Sequence, residues 1–77
     1  MDTTQLIKHI LSKSGKTSTD VSRVMDRSDG YLRQVMHRGS APTLPVFIEI
    51  AKACGYKLCL IKDDDTIVID ELAYDKH

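Results

Sequence analysis

Gly30, Arg33, Gln34 and His37 carry the most specific chemistry in this chain. At about 100° per residue on a helical wheel they fall on one arc, opposite Leu32, Val35 and Met36. A guanidinium and a carboxamide are the groups that pair in two-pronged fashion with base edges in a major groove. A charged imidazole binds phosphate. Asp29, just ahead, offers an acceptor for the amino group of cytosine or adenine. Gly30 lets a backbone approach closely. The plain alternative for such an arc is a solvated helix face, so its meaning depends on the elements around it.

Other constellations carry less. Cys54 and Cys59 stand five apart, whereas zinc sites want two cysteine pairs or cysteine with closely spaced histidine. His9, His37 and His77 are far from both, so the cysteines read as buried thiols and no metal is expected. Asp63-Asp64-Asp65 lacks the glycine and terminal glutamate of a calcium loop and reads as a polar turn. No glycine-rich phosphate loop follows a strand, and no nucleophile has a nearby base. The expectation is a protein without a cofactor that is not an enzyme.

The arc belongs to a short stretch with strong punctuation. Thr17 is placed to cap a helix over 16–25, with Asp20 three residues on completing a capping box. Val21, Val24 and Met25 then share one face by their spacing. Ser28 is placed to cap a second helix over 28–38, with Asp29 in its first turn. Gly39 supplies a left-handed stop. Only Asp26 and Arg27 separate Met25 from Ser28, a link short enough to force the steep crossing of a helix-turn-helix. Asp26 falls where a positive φ is needed, which aspartate tolerates.

On these residues the stretch resembles the helix-turn-helix of phage-repressor-like (XRE-type) transcription regulators. Thr17-Ser18-Thr19-Asp20-Val21-Ser22 stands for the start of their pattern, and Ser28 with Tyr31-Leu32 for its middle. Gly39, Pro42 and Ile50-Ala51-Lys52-Ala53-Cys54-Gly55 stand for its end. The similarity covers roughly residues 4–60. Ser18 stands where glutamine is usual, Ser22 where the family buries alanine and Asp26 where the turn has glycine; one extra residue precedes Gly39. The resemblance implies a mainly α fold, a lambda-repressor-like bundle, and double-stranded DNA as the partner. It implies base contacts from Asp29, Gly30, Arg33 and Gln34, and phosphate contacts from Lys16, Ser18, Thr19, Tyr31, His37 and Arg38.

The charge distribution agrees with that reading. The whole chain is neutral, with 11 basic and 11 acidic residues. Residues 1–40 carry seven Lys and Arg against four Asp, a net +3, and residues 41–77 carry the mirror-image −3. A basic half with the reader helix and an acidic half facing away suit a DNA-binder. With 77 residues there is one domain, burying only about 60% of its unfolded surface. No apolar run spans a membrane and no signal-peptide pattern opens the chain, so a cytoplasmic protein is expected.

The remaining elements complete the plan. Leu6, Ile7, Ile10 and Leu11 form the stripe of a first helix over 3–14, stopped by Gly15. Thr43 is placed to cap a fourth helix with Pro45 in its first turn, and Val46, Phe47, Ile50, Ala51 and Cys54 should face inward. Residues 1–55 thus form a four-helix bundle. Residues 56–77 supply a C-terminal β-hairpin, with strands at 56–62 and 66–70, and a tail. The hairpin is apolar on both faces. One face can cover the helices, which leaves Leu58, Cys59, Leu60, Ile61, Ile67, Val68 and Ile69 as the pool for a homodimer interface. The alternative covering is Leu72-Ala73-Tyr74 folding back. The expected protein is a homodimeric repressor on an inverted-repeat operator. The competing function is an antitoxin-like interaction module, with a toxin or other protein as partner and DNA binding as autoregulation.

Overall fold

Asp2 opens the first helix with a capping box of its own, not anticipated above. Its Oδ1 accepts from the Gln5 N–H at 2.8 Å, and the Gln5 side chain accepts from the Asp2 N–H at 2.9 Å. The computed structural model describes residues 1–39 and 41–70. Its elements are α1 (Thr3–Ser14), α2 (Ser18–Val24), α3 (Tyr31–His37), α4 (Leu44–Ala53), β1 (Leu58–Lys62) and β2 (Asp65–Ile69). The architecture is therefore four helices followed by a two-stranded antiparallel hairpin. None of these helices is long and apolar enough to cross a membrane.

The core draws on all four helices. Ile7, Ile10 and Leu11 of α1, Val21 of α2, Leu32 and Val35 of α3, and Ile50 and Cys54 in and after α4 form one buried cluster. Each large aliphatic among them contributes about 1.5–3 kcal/mol by leaving water. Gly15, Gly39 and Gly55 follow α1, α3 and α4 with positive φ, as left-handed stops require. The inward set on α4 is wider than its spacing suggested. Ile48 is buried along with Ile50 and Ala51, while Val46 and Phe47 are half-buried. Ile48 and Ile50 lie about 200° apart on the helix, so α4 is covered on more than one side. Thr43 does sit at its N-cap, yet its hydroxyl makes no capping bond.

Val24 does not share the buried face of Val21. It is 63% exposed, while Met25 is half-buried against the core. Val24 is the last residue of the seven-residue α2 and borders an open hollow instead of the core. Val24, Met25, Glu49, Lys52 and Ala53 there line a shallow hollow.

The hairpin turns at Asp63-Asp64, with Asp63 in a left-handed conformation at φ 52°. Asp65 belongs to β2 and not to the turn, since it pairs with Lys62. The register sets Leu58 opposite Ile69, Cys59 opposite Val68 and Leu60 opposite Ile67. Directly opposed residues share a face. Leu58, Leu60, Ile67 and Ile69 therefore form one side, and Cys59, Ile61, Thr66 and Val68 the other. The expectation that one side covers the helices is not met. Only Leu58, Cys59 and Ile69, at the base, are half-buried. Leu60, Ile61, Ile67 and Val68 are 46–72% exposed. A two-stranded ribbon joined by one short segment leans on the bundle at its base alone, where Lys52 Nζ donates to the Asp70 carbonyl at 3.2 Å. The stretch Leu72-Ala73-Tyr74 lies outside the described residues.

Candidate nucleic-acid interface

The helix pair at 17–39 is held by polar contacts as well as by its apolar core. At the head of α2 the expected capping box is complete. Thr17 Oγ1 accepts from the Asp20 N–H at 3.1 Å, and Asp20 Oδ2 accepts from the Thr17 N–H at 3.1 Å. Those bonds, with Lys16 and Arg23 nearby, hold the Asp20 carboxyl below its ordinary pKa. The turn runs through Asp26 at φ 60°, as expected.

Ser28 does not cap α3. The cap position is Gly30, and residues 28–30 form a turn in which the Tyr31 N–H donates to the Ser28 carbonyl at 3.0 Å. Two longer-range contacts serve the head of the helix instead. Ser22, fully buried in α2, donates through Oγ to the Ser18 carbonyl at 2.8 Å and accepts from the Leu32 N–H at 3.0 Å. One hydroxyl thus satisfies a first-turn N–H of α3, which would otherwise be orphaned in the core. Where the family resemblance has alanine, this chain has a polar pin between the two helices.

Asp29 is the second contact. Its carboxylate receives Arg23 Nε at 2.9 Å and Arg23 Nη2 at 3.0 Å, a two-pronged ion pair across the turn. Arg23 holds the Asp29 carboxyl below its usual range, and Asp29 raises the guanidinium in turn. Both side chains are exposed. Asp29, expected as an acceptor at the head of the helix, is thus tied to Arg23 through both of its oxygens, each of which keeps a further lone pair.

The outward arc of α3 follows the wheel. Leu32 and Val35 are buried and Met36 is half-buried against the core, while Arg33, Gln34, His37 and Arg38 are exposed. Gly30 has φ −92°, which any residue adopts. Among the described residues a Cβ there would meet only Arg33 Nη2, at 3.6 Å, so none of them demands glycine, and the Arg33 guanidinium lies back near the head of its own helix. Ser18 and Thr19, at the start of α2, are half-buried, and Lys16 just before them is exposed. Tyr31 is half-buried, with the Arg27 guanidinium 4.9 Å from its ring centroid.

The structure brings in residues that spacing did not select. Lys8 and Thr4 of α1 line a shallow hollow with Arg33, Met36 and His37. Thr4 Oγ1 donates to the Met36 carbonyl over a long 3.5 Å, tying α1 to the far end of α3. Lys8 was legible only as a residue off the apolar stripe of α1. Ser22 and Arg23 were legible only as polar residues in α2, because their partners sit ten and six residues away.

Comparison with protein-family models, with curated proteins and with solved structures finds no significant match for this chain.

Proposed function

We propose that this chain is a sequence-specific DNA-binding transcriptional regulator, a repressor acting as a homodimer on an inverted-repeat operator. The observation that carries the reading is the α2–α3 unit. A seven-residue helix is pinned through the buried Ser22 hydroxyl to a second seven-residue helix, whose outward arc is Arg33, Gln34 and His37. Arg33 and Gln34 read base edges from the major groove. Lys16, Ser18, Thr19, Tyr31, His37 and Arg38 bind the phosphates on either side, and Lys8 adds a charge beside Arg33 and His37. Such a regulator works in the cytoplasm, beside its DNA.

One reader helix covers half a site. Two-fold pairing doubles the contacts and sets half-sites about 34 Å apart. The exposed aliphatics of the hairpin, Leu60, Ile61, Ile67 and Val68, support a second copy as the partner that covers them.

The test is selection of random duplex DNA by the full chain, followed by measured affinity for the sequences retained. Arg33→Ala or Gln34→Ala should lose about 1–3 kcal/mol on the selected site and relax preference at one base position. Lys16→Ala or Arg38→Ala should weaken all sequences alike and flatten the salt dependence. Wild-type preference retained in both reader variants would refute the assignment. Recovery of no motif at any salt would favour the interaction module, with the exposed hairpin as its docking surface.

A further inference from the structure

The Arg23–Asp29 pair is exposed, and ion pairs in water contribute little to stability. Its placement is more informative than its strength. Arg23 lies one turn after Thr19 on the same stripe of α2, and Asp29 directly precedes the Gly30 cap of α3. An arginine carries its donors on a flat fork. Asp29 takes the Nε hydrogen and one Nη2 hydrogen. Among the described residues nothing takes the Nη1 hydrogens or the second Nη2 hydrogen, and together they form the outer edge that grips two oxygens of a phosphate at once. A free arginine on a surface must lose its rotamer freedom when it binds; one already held by a carboxylate has lost it beforehand.

Resting on the DNA reading above, we propose that Arg23 is a phosphate-contacting residue of this protein, and that Asp29 is its positioning residue rather than a reader of bases. Asp29 is then an anion on a surface that meets a polyanion, useful only through the arginine it orients. That gives the proposal a sign that simple charge counting does not share. Removing a negative charge beside DNA should tighten binding. Removing Asp29 should instead loosen it, because Arg23 is released.

The experiment is fluorescence anisotropy of the full chain with a labelled duplex selected by the wild type and with a scrambled duplex, each across a salt series. Arg23→Ala should weaken both duplexes by similar factors and lower the salt slope by about one ion. Arg23→Lys keeps the charge without the fork, so it should retain the salt slope while losing part of the affinity. Asp29→Ala should weaken binding in the wild-type background and strengthen it in the Arg23→Ala background. Both side chains are exposed, so unchanged circular dichroism is expected and serves as the folding control.

Tighter binding by Asp29→Ala alone would overturn the positioning role. Unchanged affinity and salt slope in Arg23→Ala would overturn the phosphate contact. A changed base preference in Asp29→Ala would restore Asp29 as a reader and overturn the proposal. A wild-type chain that binds neither duplex would remove the DNA reading itself, a result distinct from these three.

Discussion

Replacing Ser22 with alanine isolates the pin between the two helices. Ser22 is fully buried, and its Oγ is the acceptor for the Leu32 N–H at 3.0 Å. The substitution removes a single oxygen, so the cavity is small and the main loss is the hydrogen bond. Leaving a buried N–H without a partner costs about 1–3 kcal/mol. Alanine is the better helix former by roughly 0.5 kcal/mol, which offsets part of this. The Ser18 carbonyl keeps its ordinary helical role, so losing the donor there adds little. The net expectation is destabilisation of about 0.5–2.5 kcal/mol. A domain of this size has a total stability of roughly 4–12 kcal/mol, so the effect is a sizeable fraction of the whole. It corresponds to a fall in Tm of about 4–8 °C per kcal/mol.

The assay is urea unfolding followed by far-ultraviolet circular dichroism at fixed protein concentration, since self-association would move the midpoint. Ser12→Ala, exposed in α1, reports the helix-propensity gain alone. The Leu32 amide should also exchange its hydrogen faster in Ser22→Ala, because its acceptor is gone. A Ser22→Ala midpoint equal to or above that of Ser12→Ala, with unchanged Leu32 exchange, would refute the pin. It would mean that the hydroxyl fills space without holding α3.

Two further outcomes follow from the same geometry. The Asp20 carboxyl is lowered in the folded chain by its bonds to Thr17, so its contribution is present above the unfolded carboxylate pKa and is lost as pH falls through the lowered folded value. Asp20→Asn should therefore reduce stability near neutrality and flatten the acid limb of the stability-against-pH curve, and an acid limb identical to wild type would show that the capping carboxylate carries none of it. Ile67→Asp, placed opposite Leu60 on the more aliphatic side of the hairpin, should convert a sedimenting dimer to a monomer at tens of micromolar while leaving the helical circular dichroism intact; a dimer that survives it would move the two-fold axis away from this face.

Local signals in the sequence carried over where the physics is local. The Thr17–Asp20 box, the positive φ at Asp26 and the glycine stops at 15, 39 and 55 depend on neighbours within four residues, and each is present. The four helices and the hairpin follow from the spacing of apolar residues, because burial and period are tied. The head of α3 is different. A serine followed by aspartate reads as an N-cap, yet the N–H groups there found better-placed partners elsewhere. Ser22 reaches Leu32 from ten residues away, and Arg23 draws Asp29 out of the first turn from six. Such pairings have no period and so leave no trace in spacing. Val24 failed because a shared helix face does not ensure burial: at the end of α2 it borders an open hollow instead of the core.

The hairpin shows the opposite limit, where the pattern is legible but the surface it packs against is not. Alternation separates Leu58 and Leu60 from Cys59 and Ile61 along the first strand, and the register sets Ile67 and Ile69 beside the first pair and Val68 beside the second. Alternation does not choose which side is covered, and among the described residues neither side is covered beyond the base. A short ribbon with aliphatics on both faces gains nothing from those residues in water, since isolated hairpins are marginal without a surface to pack on. The dimer proposed above is one surface that would remove them from water. On the DNA reading proposed above, α3 has the matching deficiency, because the few phosphates within reach of one such helix give too little specific affinity alone. Pairing two chains through their hairpins would meet both needs with one contact, and the two halves of this chain become a single argument at that point.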